Sequence, residues 1–260
     1  MHPDPSPSLP PAVTARLRVV LCDADGNLFP SEEPAFDASA ELTNAFLASL
    51  GSEQRFTAEE LRHAATGMNF RSTAGMLAEA CGRADVDVEP WVTEERRVVT
   101  AHLGATLRPH PATLTALEKL AQRYPLAAVS SSALARLAVC FTATGLDDLI
   151  PTARRFSAED SLPAPASKPD PAVYLHACAE LGIAPAEGLA VEDAVAGVRS
   201  AVAAGCPTVG NVRFVPEPER AGRTAALLAA GALTVVDSWA QLADLLPAAT
   251  GDLSGAGAGR

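Results

Sequence analysis

Asp23 and Asp25, in Asp23-Ala24-Asp25-Gly26-Asn27, are two carboxylates one residue apart at the end of the apolar run Val19-Val20-Leu21-Cys22. Such a pair can share a divalent cation, or one acid can attack an electrophile while the other moves the proton. An acidic turn closing a strand is the plainer alternative. Three later clusters bear on the choice. Ser130-Ser131-Ser132 follows Leu126–Val129 and opens a helical pattern, where hydroxyls and free N–H groups can hold an anion or simply cap the helix. Lys168 stands in Ser167-Lys168-Pro169-Asp170-Pro171; it and Lys119 are the chain's two lysines, arginine carrying the rest of its positive charge. A compact ammonium suits neutralisation of phosphate or carboxylate, and a solvated loop lysine is the alternative. Glu192-Asp193 closes Leu189-Ala190-Val191, a second acidic pair offering the oxygen ligands of a Mg²⁺ site, or a helix cap.

All four clusters need the same kind of support. Short apolar runs at Val19–Asp23, Leu126–Ser130, Gly188–Glu192, Thr208–Gly210 and Leu233–Asp237 alternate with helical patterns. This spacing predicts an α/β core over 16–32 and 108–247, a Rossmann-like parallel sheet with helices on both faces. Strand carboxyl ends are where such sheets bind ligands. Residues 33–107 read differently. Leu42, Phe46 and Leu50 recur at helical spacing, Thr57-Ala58-Glu59-Glu60 fits a capping box, and Phe70–Cys81 and Trp91–Leu103 continue helically. An inserted all-helical cap is expected there, joined through Phe29-Pro30 and Arg108-Pro109-His110-Pro111, with flexible tails over 1–15 and 248–260.

The net charge of −11 argues against nucleic-acid and anionic-membrane partners. No apolar stretch approaches the ~18 residues that would span a bilayer, and the Pro/Ser-rich start lacks the pattern of an export signal. Five scattered cysteines without a C-x-x-C pair fit reduced thiols in a cytoplasmic protein. His63, His102, His110 and His176 show no metal-ligand spacing. Oligomeric state is not legible.

In this order, Asp-x-Asp-Gly, Ser, Lys-Pro and Glu-Asp together resemble the haloacid dehalogenase superfamily over about residues 17–246. The similarity is to the branch with a helical cap after the first strand, typified by β-phosphoglucomutase and related sugar-phosphate phosphatases. The resemblance implies an Mg²⁺-dependent phosphatase acting on a small phosphorylated metabolite, a sugar or polyol phosphate, through an aspartyl-phosphate. By resemblance, Asp23 is the nucleophile and Asp25 the acid/base. Ser130, Ser131 and Lys168 hold phosphate. Asp23, the Asp25 backbone carbonyl and Asp193 bind Mg²⁺, with Glu192 assisting through water. Asn27 stands where relatives commonly carry Thr or Val, and is placed with Arg71 among the expected substrate contacts. Arg71 lies in Gly67-Met68-Asn69-Phe70-Arg71, which is similar to the specificity segment of such caps. Ala35 occupies the position where mutases carry a histidine, which keeps a phosphomutase as the alternative and a non-catalytic ligand-binding protein as a remoter one.

Overall fold

The computed structural model describes residues 8–65 and 69–247. Of the expected tails, 1–7 and 248–260 lie outside those residues; Pro11–Thr14 forms one helical turn, α1. Six strands build one parallel sheet: β1 Val19–Cys22, β2 Leu126–Ser130, β3 Arg155–Ser157, β4 Gly188–Glu192, β5 Thr208–Asn211 and β6 Thr234–Val236. Every residue of β1, β2, β4 and β5 is buried, as a sheet covered by helices on both faces requires. Val19, Leu21, Val129, Ala190 and Tyr174 share one apolar cluster of this core.

The strand order is β3-β2-β1-β4-β5-β6. The chain builds outward from β1 in one direction, then returns to lay β4 on the other side of β1. That reversal opens a crevice at the carboxyl ends of β1 and β4. Asp23 follows the last residue of β1, and Glu192-Asp193 straddles the end of β4, so the topology brings the two acidic motifs to one edge.

The expected strands match within one residue at either end. β3 was not foreseen: it is three residues long, with Arg155 and Ser157 flanking a single apolar Phe156. Arg155 is buried there because its Nε donates to the Ile150 carbonyl (2.8 Å) and its Nη2 to Asp147 Oδ1 (2.6 Å). Polar residues with such partners can occupy a strand, and their hydropathy then hides it.

The chain divides into two compact units. One runs up to Leu28 and adds His110–Leu137 and the residues from Leu146 onward; the other is Phe29–Pro109 with Ala138–Gly145. Among the described residues, the second unit is built on helices: α2 Glu32–Ser49, α3 Ala58–Ala64, α4 Phe70–Ala80, α5 Glu89–Thr106 and the later part of α7 Leu134–Thr144. The sequence places 138–145 with the sheet. They join the helices because Gly104 on α5 has no side chain, and a Cβ there would fall 2.5 Å from Val139. The capping box at Thr57 and Glu60 is present, and Phe46, Leu47, Ala74 and Leu77 pack around Trp91. The sheet's remaining helices are α6 Pro111–Ala121, α8 Ala172–Glu180, α9 Val195–Ala203, α10 Glu217–Ala229 and α11 Trp239–Leu245. Among the described residues no helix is long and apolar enough to cross a membrane.

Candidate active site

β1 carries Asp23 to the sheet edge, where its N–H donates to the Val191 carbonyl of β4 (3.0 Å). Gly26 then turns the chain with φ +76°, a conformation open to glycine. A Cβ on Gly26 would lie 2.5 Å from Asp193 Oδ2, so the absent side chain is what admits the second acidic motif. Asp193 stands one residue before the N-cap of α9, which is Ala194 and makes no side-chain cap bond. Arg223 on α10 donates to the Asp193 carbonyl (2.9 Å). One carboxylate oxygen from each of Asp23, Glu192 and Asp193, all buried, lies within 4.8 Å of the other two. Converging hard oxygen donors fit Mg²⁺ or a similar cation.

Lys168 comes to this cluster from the loop before α8. Its Nζ donates to Asp23 Oδ1 (2.5 Å), Glu192 Oε1 (2.7 Å) and the Val129 carbonyl (2.7 Å). The loop is held at two points: Lys168 N–H donates to Ser131 Oγ (3.2 Å), and Ser200 on α9 donates to the Asp170 carbonyl (2.6 Å). Glu192 Oε1 also accepts from Tyr174 Oη, and its carboxylate occupies the space a Cβ on Gly197 would take, 1.8 Å from Oε2. Burial pushes the Asp23 carboxyl above the ordinary range, with the Lys168 ammonium pulling against it. Burial likewise pushes Glu192 up to about 7, Lys168 opposing and the Asp23 charge reinforcing. Burial would strip the proton from Lys168, but the charges of Asp23 and Glu192 outweigh it and hold the ammonium protonated. Glu192 is thus committed to Lys168 and Tyr174, leaving Asp23 and Asp193 better placed to face a cation.

Asp25 turns elsewhere. Its Oδ2 accepts from Ser132 Oγ (2.6 Å), and Arg136 Nη2 lies 3.8 Å from its Oδ1. Its carboxylate stands outside the three-acid group. Ser130, at the end of β2, is buried, and its Oγ accepts from the Ser132 N–H (3.0 Å). Of the N–H groups that open α7, that of Leu134 is already taken by Asp160 Oδ2 (2.6 Å).

A family model for haloacid dehalogenase-like hydrolases matches residues 17–205. The chain belongs to that family. Its fold is shared by a haloacid dehalogenase-like protein of unknown function from Agrobacterium tumefaciens, with TM-score 0.69 and 24% identity over 88% of this chain and 97% of that one. A haloacid dehalogenase family hydrolase from Deinococcus radiodurans, solved with bound phosphate and sodium, matches with TM-score 0.64 and 27% identity over 90% of this chain and 100% of that one. A candidate β-phosphoglucomutase from Thermotoga maritima gives TM-score 0.65 and 24% identity over 88% and 98%. No curated protein matches.

Within this haloacid dehalogenase-like hydrolase, one expected contact is overturned. Asn27 does not face a ligand. It is fully buried; its Nδ2 donates to the carbonyls of Asp23 (3.0 Å) and Val191 (2.8 Å), and its Oδ1 accepts from Asn211 Nδ2 (2.8 Å). Trp239 Nε1 donates to the Asn27 carbonyl (3.0 Å), and Asn211 Oδ1 accepts from the Arg213 N–H (3.1 Å). The side chain ties the ends of β1, β4 and β5 together, which leaves it nothing to offer a substrate. Arg71, in the helical unit, forms a fork with Glu89 through Nε and Nη2 at 2.6 Å each. Gly67 and Met68 of its expected specificity segment lie outside the described residues.

Tyr174, Arg136 and Asn211 are not among the residues that the sequence singles out for the site, and the contact of Ser132 with Asp25 is not legible from its place in the serine run. Tyr174 had a signal: it stands six residues after Lys168 on a short helix whose apolar face must meet the sheet. The other three reveal themselves only through contacts distant in sequence.

Proposed function

We propose that this chain is an Mg²⁺-dependent phosphatase that releases phosphate from a small phosphorylated metabolite, a sugar or polyol phosphate, by way of an aspartyl-phosphate on Asp23. The observation that carries the reading is the grouping of the Asp23, Glu192 and Asp193 carboxylates at the β1/β4 crevice, with the Lys168 ammonium bonded to Asp23. The Deinococcus relative, solved with phosphate and sodium, supports it.

In this mechanism an Asp23 carboxylate oxygen attacks phosphorus and the bond from phosphorus to the ester oxygen breaks. Protonated Asp25 gives its proton to that oxygen. Asp25 then takes a proton from water, which attacks the aspartyl-phosphate and frees Asp23 and inorganic phosphate. Lys168, Ser130 and Ser131 hold phosphate oxygens, and Glu192 with Tyr174 orients the Lys168 ammonium. Mg²⁺, held by Asp23, Asp193 and the Asp25 carbonyl, with Glu192 through water, would supply the charge that lets a carboxylate approach a phosphoryl dianion. The helical unit is proposed as the cap that chooses the substrate, with Arg71 a candidate contact. A cytoplasmic setting accords with five free thiols, Cys178 and Cys206 among them with sulfurs 3.9 Å apart.

A phosphate-release screen over sugar, polyol and nucleotide phosphates with Mg²⁺ tests the reading. Asp23→Asn should lower the rate at least about 10³-fold with an unchanged circular dichroism spectrum. Full activity in that variant removes the nucleophile assignment, and activity that survives EDTA removes the metal.

A further inference from the structure

We propose that Ser132 is a positioning residue for the reaction, holding the Asp25 carboxyl in the orientation from which it gives its proton to the leaving oxygen. The inference rests on the phosphatase reading and deepens it. The three consecutive serines at the end of β2 serve three different groups. Ser130, buried, holds a phosphate oxygen in the proposed mechanism. Ser131 Oγ accepts from the Lys168 N–H (3.2 Å), and Ser132 Oγ donates to Asp25 Oδ2 (2.6 Å). The last bond is as short as hydroxyl-to-carboxylate contacts run, about 2.5–2.7 Å. Arg136 Nη2, 3.8 Å from Asp25 Oδ1, adds positive charge nearby but at that distance fixes no orientation by hydrogen bonding.

The Asp25 side chain is 29% exposed, so a substrate can reach it. A general acid must come within hydrogen-bond reach of the oxygen it protonates, and a misplacement of about 1 Å can cost about 100-fold in rate. A hydroxyl suits the task of preventing that. It can donate to one carboxyl oxygen both before and after the other oxygen takes a proton. The orientation then persists while Asp25 gives its proton to the ester oxygen and takes one back from water. Ser132 is itself tied down, since its N–H donates to Ser130 Oγ (3.0 Å). One residue thereby fixes the acid/base group relative to a hydroxyl that holds phosphate.

Ser132→Ala removes the hydroxyl and keeps the N–H, so it separates the two bonds. The probes are 4-nitrophenyl phosphate, whose phenolate leaves without a proton, and 4-nitrobenzyl phosphate, whose alkoxide does not. The readout is the ratio of their kcat/KM values with Mg²⁺, which reports the steps up to departure of the alcohol. The variant should lose about 10- to 100-fold more on the benzyl ester than on the phenyl ester. Ser132→Thr, which keeps a hydroxyl, should return the ratio to within about threefold of the native one. If the native chain accepts neither probe, acetyl phosphate and the best alkyl ester of the screen take their places in the same ratio. Equal losses on both esters, or no loss on either, overturn the proposal and leave the phosphatase reading standing. A native chain that releases phosphate from no ester ends the phosphatase reading, and the role of Ser132 falls with it.

Discussion

At the carboxyl edge of the sheet the Lys168 side chain is 7% exposed and meets Asp23 and Glu192 at 2.5 and 2.7 Å, whereas in the helical unit the fork between Arg71 and Glu89 is about half exposed (48% and 57%). Distances alone make the two ion pairs look alike. Their surroundings do not. In the first, removing one partner leaves a charge stranded away from water; in the second, water and salt take over at once. A short charged contact therefore says little until its burial is known. It is the buried set, where each charge is needed to justify the next, that marks the reactive edge.

The contrast can be broken by experiment. Lys168→Met should have the largest effect, because Asp23 and Glu192 would then face each other without a cation. A loss of about 3–5 kcal/mol in urea unfolding is expected, with phosphate release lost alongside. A shift no larger than that of a surface variant would end the distinction. Asn211→Ala tests the neutral part of the same region. It leaves the Asn27 Oδ1 without its donor, and about 1–3 kcal/mol should go, again read by urea unfolding. His110 sits between the extremes as the N-cap of α6, its ring against Phe214 and its Nε2 3.1 Å from Arg213. Burial and the Arg213 charge hold it below the usual histidine range, so the unfolded chain takes up the proton more readily. Stability tied to the neutral ring is complete above the unfolded value near ~6.5 and is lost as pH falls from there through the lower folded value. His110→Asn retains a capping side chain, and its Tm should drop less than the native Tm between about pH 7.5 and about pH 5.5. Arg71→Ala should do least, leaving the unfolding midpoint where it was at physiological salt. A rise in KM in that variant would reveal substrate contact, and a marked loss of stability would put the helical unit on the same footing as the sheet.

Much of the edge was legible because it is built by short-range rules. β1, β2 and β4 are apolar runs whose boundaries hydropathy locates, and parallel topology then brings Asp23, Ser130 and Glu192-Asp193 to one side. β3 escaped because Arg155 is buried through partners at Ile150 and Asp147, which no periodicity reveals. Asn27 misled for a related reason. A polar residue beside a reactive motif looks ready for ligand, but the carbonyls of Asp23 and Val191 needed a donor, and its amide supplies one to both while its oxygen accepts from Asn211. Ser132 and Asp25 are 107 residues apart in sequence and 2.6 Å apart in space, so their pairing belongs to the fold alone.

Gly197 carries a warning for anyone who would make this protein more robust. A glycine in a helix is the usual first choice for replacement by alanine, for a gain of up to about 1 kcal/mol. In α9 the added methyl would land 1.8 Å from Glu192 Oε2. The substitution that thermostabilisation favours would displace the carboxylate that steadies Lys168, so this gap in the helix is better left alone.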